Sequence, residues 1–146
     1  MWFSKKQFAK SAGPASTAAP VDQITTKRLG DAAEALAYLL RAGLRQVEAN
    51  YRTPGRGGGE VDLIMREADG TLVFVEVRQR NSSSHGGAAA SIGLAKQRRI
   101  VFAARYYLLR FASPPPCRFD VVLLQGRLDQ PRAPAIEWLR AAFDAD

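Results

Sequence analysis

Two apolar segments joined by a short turn constrain the fold of this chain more than any other feature. Residues 60–80 read EVDLIMREADGTLVFVEVRQR, and the centres 63–65 and 72–75 are apolar at consecutive positions. Side chains alternate between the two faces of a strand, so each of these strands needs cover on both faces. The pattern therefore predicts a β-hairpin buried between layers of helix.

Helix and strand patterns flank this hairpin. Apolar spacing predicts one helix over about 25–42 and another over about 94–111, which the sequence SPPP ends. Strands are predicted at 46–51 and 117–125, and IEWLRAAF (136–143) is typical of a short amphipathic helix. The order of elements predicts an α/β protein, an α/β/α sandwich with a mixed central sheet.

The composition is that of one globular domain behind a basic tail. With 146 residues the chain has the length of a single domain. Residues 1–24 are poor in bulky apolar side chains and predict a disordered tail, followed by one ordered domain at 25–146. No apolar run is long enough for a membrane span, the N-terminus lacks a signal-peptide core, and Cys117 has no partner for a disulfide. We therefore expect a cytoplasmic protein without a membrane partner.

Positive charge is concentrated in the middle of the chain. The net charge is +7, and the segment from Val77 to Phe119 contains no acidic residue. It holds eight bases: Arg78, Arg80, Lys96, Arg98, Arg99, Arg105, Arg110 and Arg118. Such segregation favours a polyanionic partner, although a solvated basic face is the alternative.

The turn of the hairpin decides whether its acidic residues meet. A two-residue turn would place Asp62 opposite Val77, whereas a three-residue turn ending in Gly70 places Asp62 opposite Glu76. The second turn needs a left-handed residue in its last position, which glycine supplies. We therefore predict that Asp62 and Glu76 are cross-strand neighbours, with Glu60 further out on the same strand.

Two like charges in this position destabilise a sheet unless something compensates them. A divalent cation does so, because Mg²⁺ binds one or two carboxylates together with water and phosphate oxygens. The alternative is a set of ordinary ion pairs at an exposed rim, with arginines as partners. The candidates for that role are Arg56, Arg66, Arg78 and Arg80.

Longer motifs resemble a known family. An Asp followed after thirteen residues by Glu-Val-Arg (Asp62, Glu76, Val77, Arg78) resembles the core of the PD-(D/E)xK nuclease superfamily. The chain is also similar to the YraN-like family of uncharacterised bacterial proteins. The similarity lies in GEVDLI (59–64), LVFVEVRQR (72–80), GGAAAS (86–91), AKQRRI (95–100), CRFDVV (117–122) and IEWLRAAF (136–143).

The resemblance implies a restriction-endonuclease-like fold, shared with Holliday-junction resolvases, and a Mg²⁺ or Mn²⁺ site. Asp62 and Glu76 match the metal-binding acids, and Arg78 stands where the superfamily usually has Lys. Glu34 matches an acid on the first helix, at the edge of the predicted apolar stripe. That stripe consists of Leu29, Ala33, Leu36 and Leu40. Glu60 is assigned a supporting role, and an ordinary surface position on the helix is the alternative for Glu34.

The expected function is phosphodiester hydrolysis in DNA by a metal-dependent endonuclease, with branched DNA among the candidate substrates and a homodimer among the candidate assemblies. Arg78 cannot act as a base, so a nuclease-fold protein that binds nucleic acid without cutting it is the alternative. A basic adaptor is the third. Predicted nucleic-acid contacts are Arg56, Arg80, Lys96, Gln97, Arg98, Arg99 and Arg105.

Overall fold

The protein is an α/β sandwich with one mixed sheet. The computed structural model describes residues 23–80, 92–125 and 135–145. Its elements are α1 (Gln23–Arg41), β1 (Arg45–Arg52), β2 (Glu60–Arg66), β3 (Leu72–Arg80), α2 (Leu94–Leu108), β4 (Cys117–Gln125) and β5 (Ala135–Phe143). The strands lie in the order β1-β2-β3-β4-β5, and all neighbours are antiparallel except the parallel pair β3 and β4. The predicted fold class is confirmed, and the arrangement is compatible with a nuclease-like fold.

The two helices cover opposite faces of the central strands. Ala35 and Leu39 of α1 pack in one cluster with Leu63. Ile100 of α2 packs in another with Phe74. The leucine, isoleucine and phenylalanine side chains each contribute about 1.5–3 kcal/mol when they are fully buried. Cover on both sides explains why the hairpin strands are apolar at consecutive positions.

The hairpin has the predicted register. Leu63 pairs with Val75, and the register stays constant along the hairpin to the pair Arg66 and Leu72. The turn is closed by the Glu67 amide, which donates to the Thr71 carbonyl at 2.9 Å. Gly70 has a φ of 96°, the left-handed conformation that the three-residue turn requires.

The backbone at Gly58 and Gly59, just before β2, is closely packed. A Cβ on Gly59 would lie 2.2 Å from the Arg99 carbonyl oxygen of α2, so only glycine allows the helix to approach this closely. A Cβ on Gly58 would lie 2.0 Å from the hydroxyl of Thr53. That hydroxyl accepts a hydrogen bond from the Gly59 amide at 2.9 Å. The segment thus seats α2 against the start of β2.

The last element differs from the prediction. IEWLRAAF forms the edge strand β5 rather than an amphipathic helix. Its partner β4 contains Asp120, whose carboxylate accepts hydrogen bonds from Trp138 Nε1 at 2.8 Å and from the Ala141 amide at 2.9 Å. Ala141 has a φ of 49° and lies where the β4–β5 register shifts. Strand pairing and this buried acid outweigh the local helical periodicity.

Two further predictions concern the division of the chain into a tail and a domain, and the absence of a membrane-spanning segment. The predicted tail at 1–24 lies almost entirely outside the described residues, and the domain at 25–146 stays a prediction. Within the described ranges, no helix is both long enough and apolar enough to cross a membrane.

Candidate metal and nucleic-acid site

A groove of about 860 Å³ opens at the end of the sheet opposite the hairpin turn. The first half of α1, the end of β1 and the ends of β2 and β3 form its walls. Its lining residues are Arg28, Leu29, Asp31, Ala32, Asn50, Arg52, Asp62, Glu76, Val77, Arg78 and Gln79. Three of the residues predicted for the site, Asp62, Glu76 and Arg78, therefore lie in one groove.

The β2 and β3 strands separate at Asp62. The ladder is regular up to Leu63 and Val75, and at the next position Asp62 Oδ2 accepts a hydrogen bond from the Val77 amide at 2.8 Å. Side-chain alternation also breaks here, because Val61 packs with the α2 cluster although Leu63 packs with the α1 cluster. A side-chain oxygen thus replaces a backbone acceptor, and the two acids reach the groove instead of the core.

Glu76 is buried in an environment that disfavours its charge. The residue is 5% exposed, and among the described residues its Oε1 is buried without a hydrogen-bond partner. Burial, followed by the negative charge of Asp62, raises the pKa of Glu76 to about 7. A hydrogen bond between the two carboxyl groups acts in the same direction, while Lys96 opposes it. Glu76 is therefore partly protonated near neutral pH unless a cation neutralises its charge.

Glu60 and Lys96 form the second part of the site. Lys96 Nζ of α2 lies 2.9 Å from Glu60 Oε2 and 3.6 Å from Glu76 Oε2. Glu60 also lies 3.4 Å from Arg99 and 3.8 Å from Arg52. The hydrogen bond from Lys96 holds the pKa of Glu60 below its usual value, against the effect of burial. The ion pair with the negatively charged Glu60 thus holds Lys96 beside Glu76.

Glu34 does not line the groove, and its side chain is exposed on α1. The buried stripe of α1 has a different phase from the predicted one: Asp31, Ala35 and Leu39 are buried at four-residue spacing, whereas Leu29 and Leu40 are exposed. Sequence reasoning missed Asp31, which lines the groove. Its position four residues before Ala35 is the signal that could have identified it.

The residues predicted to contact nucleic acid differ in their exposure and in their partners within the protein. Arg56, Arg98 and Arg105 are exposed, and Arg99 is half-exposed beside Glu60. The Gln97 side-chain Nε2 donates to the Ile92 carbonyl at 2.7 Å, at the start of α2. Arg80 ends β3, and its side chain lies outside the described part of the chain.

Two bases of the acid-free segment have structural partners instead. Arg110 lies over the Tyr107 ring at 3.8 Å from its centroid, and Arg118 pairs with Glu67 and Asp120. Arg66, a candidate partner for the rim acids, donates to the Gly70 carbonyl at the far end of the hairpin. Within the described residues, Asp62 forms an ion pair with Arg28, and Glu76 forms one with Lys96.

The donor set fits a hard divalent cation that binds few protein ligands. Within the described ranges, no three His, Cys, Asp or Glu side chains form a cluster suited to a metal. Asp62 and Glu76 nevertheless provide two adjacent carboxyl groups, and Glu76 Oε1 is buried with its hydrogen-bonding capacity unused. Mg²⁺ is commonly bound through one or two carboxylates, with water and phosphate oxygens completing its shell.

Comparison with known proteins places these residues in a family context. Residues 32–124 match the model of the uncharacterised protein family UPF0102. A UPF0102 protein of Polaromonas naphthalenivorans is 67% identical over 153 aligned residues, which cover 99% of each chain. One of Polaromonas sp. strain JS666 is 66% identical, again over 99% of each chain. One of Cupriavidus pinatubonensis is 55% identical over 87% of this chain and 94% of its own.

Proposed function

This chain belongs to the uncharacterised protein family UPF0102, and we propose that it acts as a metal-dependent endonuclease on DNA. The family match confirms the YraN-like resemblance of the sequence motifs. The proposal rests on one observation: two adjacent carboxyl groups, Asp62 and Glu76, lie in a groove, and Glu76 has a buried oxygen that accepts no hydrogen bond within the described residues. Retaining such a pair costs stability, which a role in cation binding explains.

Asp62 and Glu76 would hold one Mg²⁺ or Mn²⁺ ion. When bound, the ion supplies charge neutralisation at the phosphate and lowers the pKa of water. Asp62 Oδ2 is oriented by the Val77 amide, and Oδ1, which lies 4.0 Å from the Arg28 guanidinium, would bind the cation in place of Arg28. Glu76 lies on the buried strand β3 and is hydrogen-bonded to Asp62, so the two carboxyl groups are adjacent enough to share one ion.

Two cations of the chain itself flank the acid pair. Arg78 lines the groove and can hold a phosphate through two parallel hydrogen bonds, but a guanidinium has no acceptor atom and cannot serve as a general base. Lys96 comes from α2 and is positioned by Glu60 at 2.9 Å. We assign to Lys96 the role of the lysine that the superfamily carries where this chain has Arg78. Its ammonium group would orient water and stabilise negative charge as it develops.

Binding without cleavage is the second candidate, and one contact favours it. Lys96 Nζ lies 3.6 Å from Glu76 Oε2, so the chain itself provides a positive charge at the place proposed for the metal. A protein using Lys96 in this way would keep the groove and its arginines for DNA while losing the cation site. The two candidates differ in whether a divalent ion binds and whether DNA is cut.

The test uses supercoiled, linear and four-way-junction DNA with Mg²⁺, with Mn²⁺ and with EDTA. We expect nicking or cleavage with metal and none with EDTA. Asp62→Ala should abolish cleavage yet retain DNA binding, because removing a carboxylate near phosphates reduces repulsion. The matched control is Asp69→Asn, which changes an exposed acid of the same hairpin at its far end. Equal cleavage by Asp62→Ala and the wild type would show that the site is elsewhere.

Substitution of Arg78 separates the enzyme from the binder. If the wild type cuts, Arg78→Lys should maintain or raise activity, since it restores the usual superfamily residue, while Arg78→Ala should lose it. A wild type that is inert with every metal and substrate, together with an active Arg78→Lys variant, would establish the binding role instead. Isothermal titration with Mn²⁺ then shows whether the wild-type site holds an ion.

A further inference from the structure

The outward face of α2 combines aromatic and basic side chains. Phe102 is 51% exposed and Tyr106 is 43% exposed, although large rings usually pack into the core. Arg98 and Arg105 are exposed on the same side, four residues before Phe102 and three residues after it. We call these four residues the α2 platform. The buried face of the same helix already packs on the sheet, so the platform is not needed for the core.

The charge around the α2 platform suits an anionic partner. The helix sequence LAKQRRIVFAARYYL has four bases and no acid. Arg98, Phe102 and Arg105 line a shallow groove of about 330 Å³, in which Asp144 brings one negative charge against two arginines. A second copy of the chain is a poor occupant, because a two-fold contact places the same patch on itself and would bring arginines together.

We propose that the α2 platform binds a single-stranded segment of DNA. Bases would stack on Phe102 and Tyr106, which lie one helical turn apart, and phosphates would contact Arg98 and Arg105. In a duplex the base faces are already stacked on each other, so exposed rings beside arginines favour an unpaired strand.

The inference rests on the proposed function and narrows its substrate. Lys96 and Arg99 of the same helix reach Glu60 beside the acid pair, and Phe102 follows within two turns. Lys96 also contacts Glu76 at 3.6 Å, so a strand that passes from the acid pair over the α2 side of the sheet meets the platform next. The substrate class is DNA with an unpaired segment beside the cleavage point, such as a flap, an overhang or a frayed branch.

The test measures binding of two fluorescent probes in EDTA at low salt, so that no cleavage intervenes. One probe is an oligothymidylate of roughly 20 nucleotides, longer than common single-strand site sizes, and the other is a duplex of equal length. In the double variant Phe102→Leu/Tyr106→Leu we expect about 5- to 100-fold weaker binding of oligothymidylate, as stacking energies per base indicate. Duplex binding should change less than about twofold. The ring-retaining control Phe102→Tyr/Tyr106→Phe should bind both probes like the wild type.

Several outcomes would overturn the inference. An equal loss of affinity for both probes would show a general contact rather than base stacking. No loss of affinity for either probe would exclude a role for the two rings in DNA binding. A change of oligomeric state in the leucine variant, measured by sedimentation, would show a self-contact. Single substitutions, checked by thermal melting, cover the case in which the double variant folds poorly. Wild type that binds only the duplex would reject the platform and leave the proposed function standing, whereas wild type that binds neither probe would count against both.

Discussion

Two buried carboxylates of the same sheet, Asp120 and Glu76, differ in how completely they are hydrogen-bonded. Asp120 is 0% exposed and accepts hydrogen bonds from Arg118, Trp138 and Ala141. Glu76 is nearly as buried, but it faces Asp62 and has a buried oxygen without a partner in the described part of the chain. A buried carboxylate whose oxygens are all hydrogen-bonded stabilises one particular structure. A buried carboxylate with an unpaired oxygen lowers the stability of the fold, which suggests that it binds a ligand.

The surroundings of the two acids explain the difference. Asp120 lies where the β4–β5 ladder shifts, and its oxygens replace the backbone acceptors that the shift removes. Asp62 does the same for the Val77 amide where β2 and β3 separate, but the described residues provide no donor to Oε1 of Glu76 beside it. The first irregularity attaches an edge strand, and the second opens the sheet toward a groove. Three predictions test this contrast.

The largest effect is expected from removing the satisfied acid. Asp120→Ala leaves the Trp138 and Ala141 donors without their acceptor, while Arg118 keeps Glu67 as a partner. Because each buried donor left unpaired costs about 1–3 kcal/mol, the free energy of unfolding should fall by about 2–6 kcal/mol. Urea denaturation measures the change, with Asp69→Asn in the exposed hairpin turn as the control. A loss below about 1 kcal/mol would mean that Asp120 does not hold β5.

Removing the unsatisfied acid should instead affect activity. Glu76→Gln should reduce DNA cleavage by at least about 100-fold, since even outer-shell partners of metal ligands cost about 10- to 100-fold. The free energy of unfolding at neutral pH should not fall, because the substitution removes a charge that burial and Asp62 both disfavour. Cleavage assays and urea denaturation on the same preparation test both parts. A destabilisation as large as that of Asp120→Ala would make Glu76 a structural residue.

The smallest effect concerns pH. Because the pKa of Glu76 is raised from 4.5 to about 7, the folded state binds its proton more tightly than the unfolded chain does. The resulting stabilisation is complete below about pH 4.5 and is lost as the pH rises through about 7. Relative to Glu76→Gln, metal-free wild type should therefore lose about 2 kcal/mol of unfolding free energy between about pH 5 and 8.

Added Mg²⁺ should reduce this loss, because the ion binds the ionised carboxylate. Urea denaturation at several pH values, on wild type and Glu76→Gln with and without Mg²⁺, measures the difference. Parallel stability curves for the two proteins would show that Glu76 titrates normally.

Much of the fold follows from local patterns. The consecutive apolar positions of the hairpin predicted cover on both faces, and the turn ending in Gly70 predicted the register that makes Asp62 and Glu76 neighbours. Both predictions succeed because backbone geometry alone relates turn length to register. The helical periodicity of IEWLRAAF was misleading, since its strand conformation depends on pairing with β4 and on Asp120.

Parts of the candidate site depended on contacts between distant segments. The sequence did not predict that Asp31 would be buried in the groove and Glu34 exposed, because the phase of an amphipathic helix depends on how it docks. The close approach of α2 to the start of β2 requires Gly59, and this contact joins segments that are far apart in the chain. Sequence motifs named Lys96 as a basic contact, but its place between Glu60 and Glu76 arises only when α2 packs on the sheet.

The sequence by itself determined the hairpin register, the α/β class and the presence of two adjacent acids, because turn geometry and side-chain alternation act over a few residues. The tertiary structure decided which charges surround those acids and which strand closes the sheet. These depend on the free energy of burying groups brought together from far apart in the chain, which no local pattern encodes. The raised pKa of Glu76 is the clearest case, because burial in the folded sheet is its largest cause.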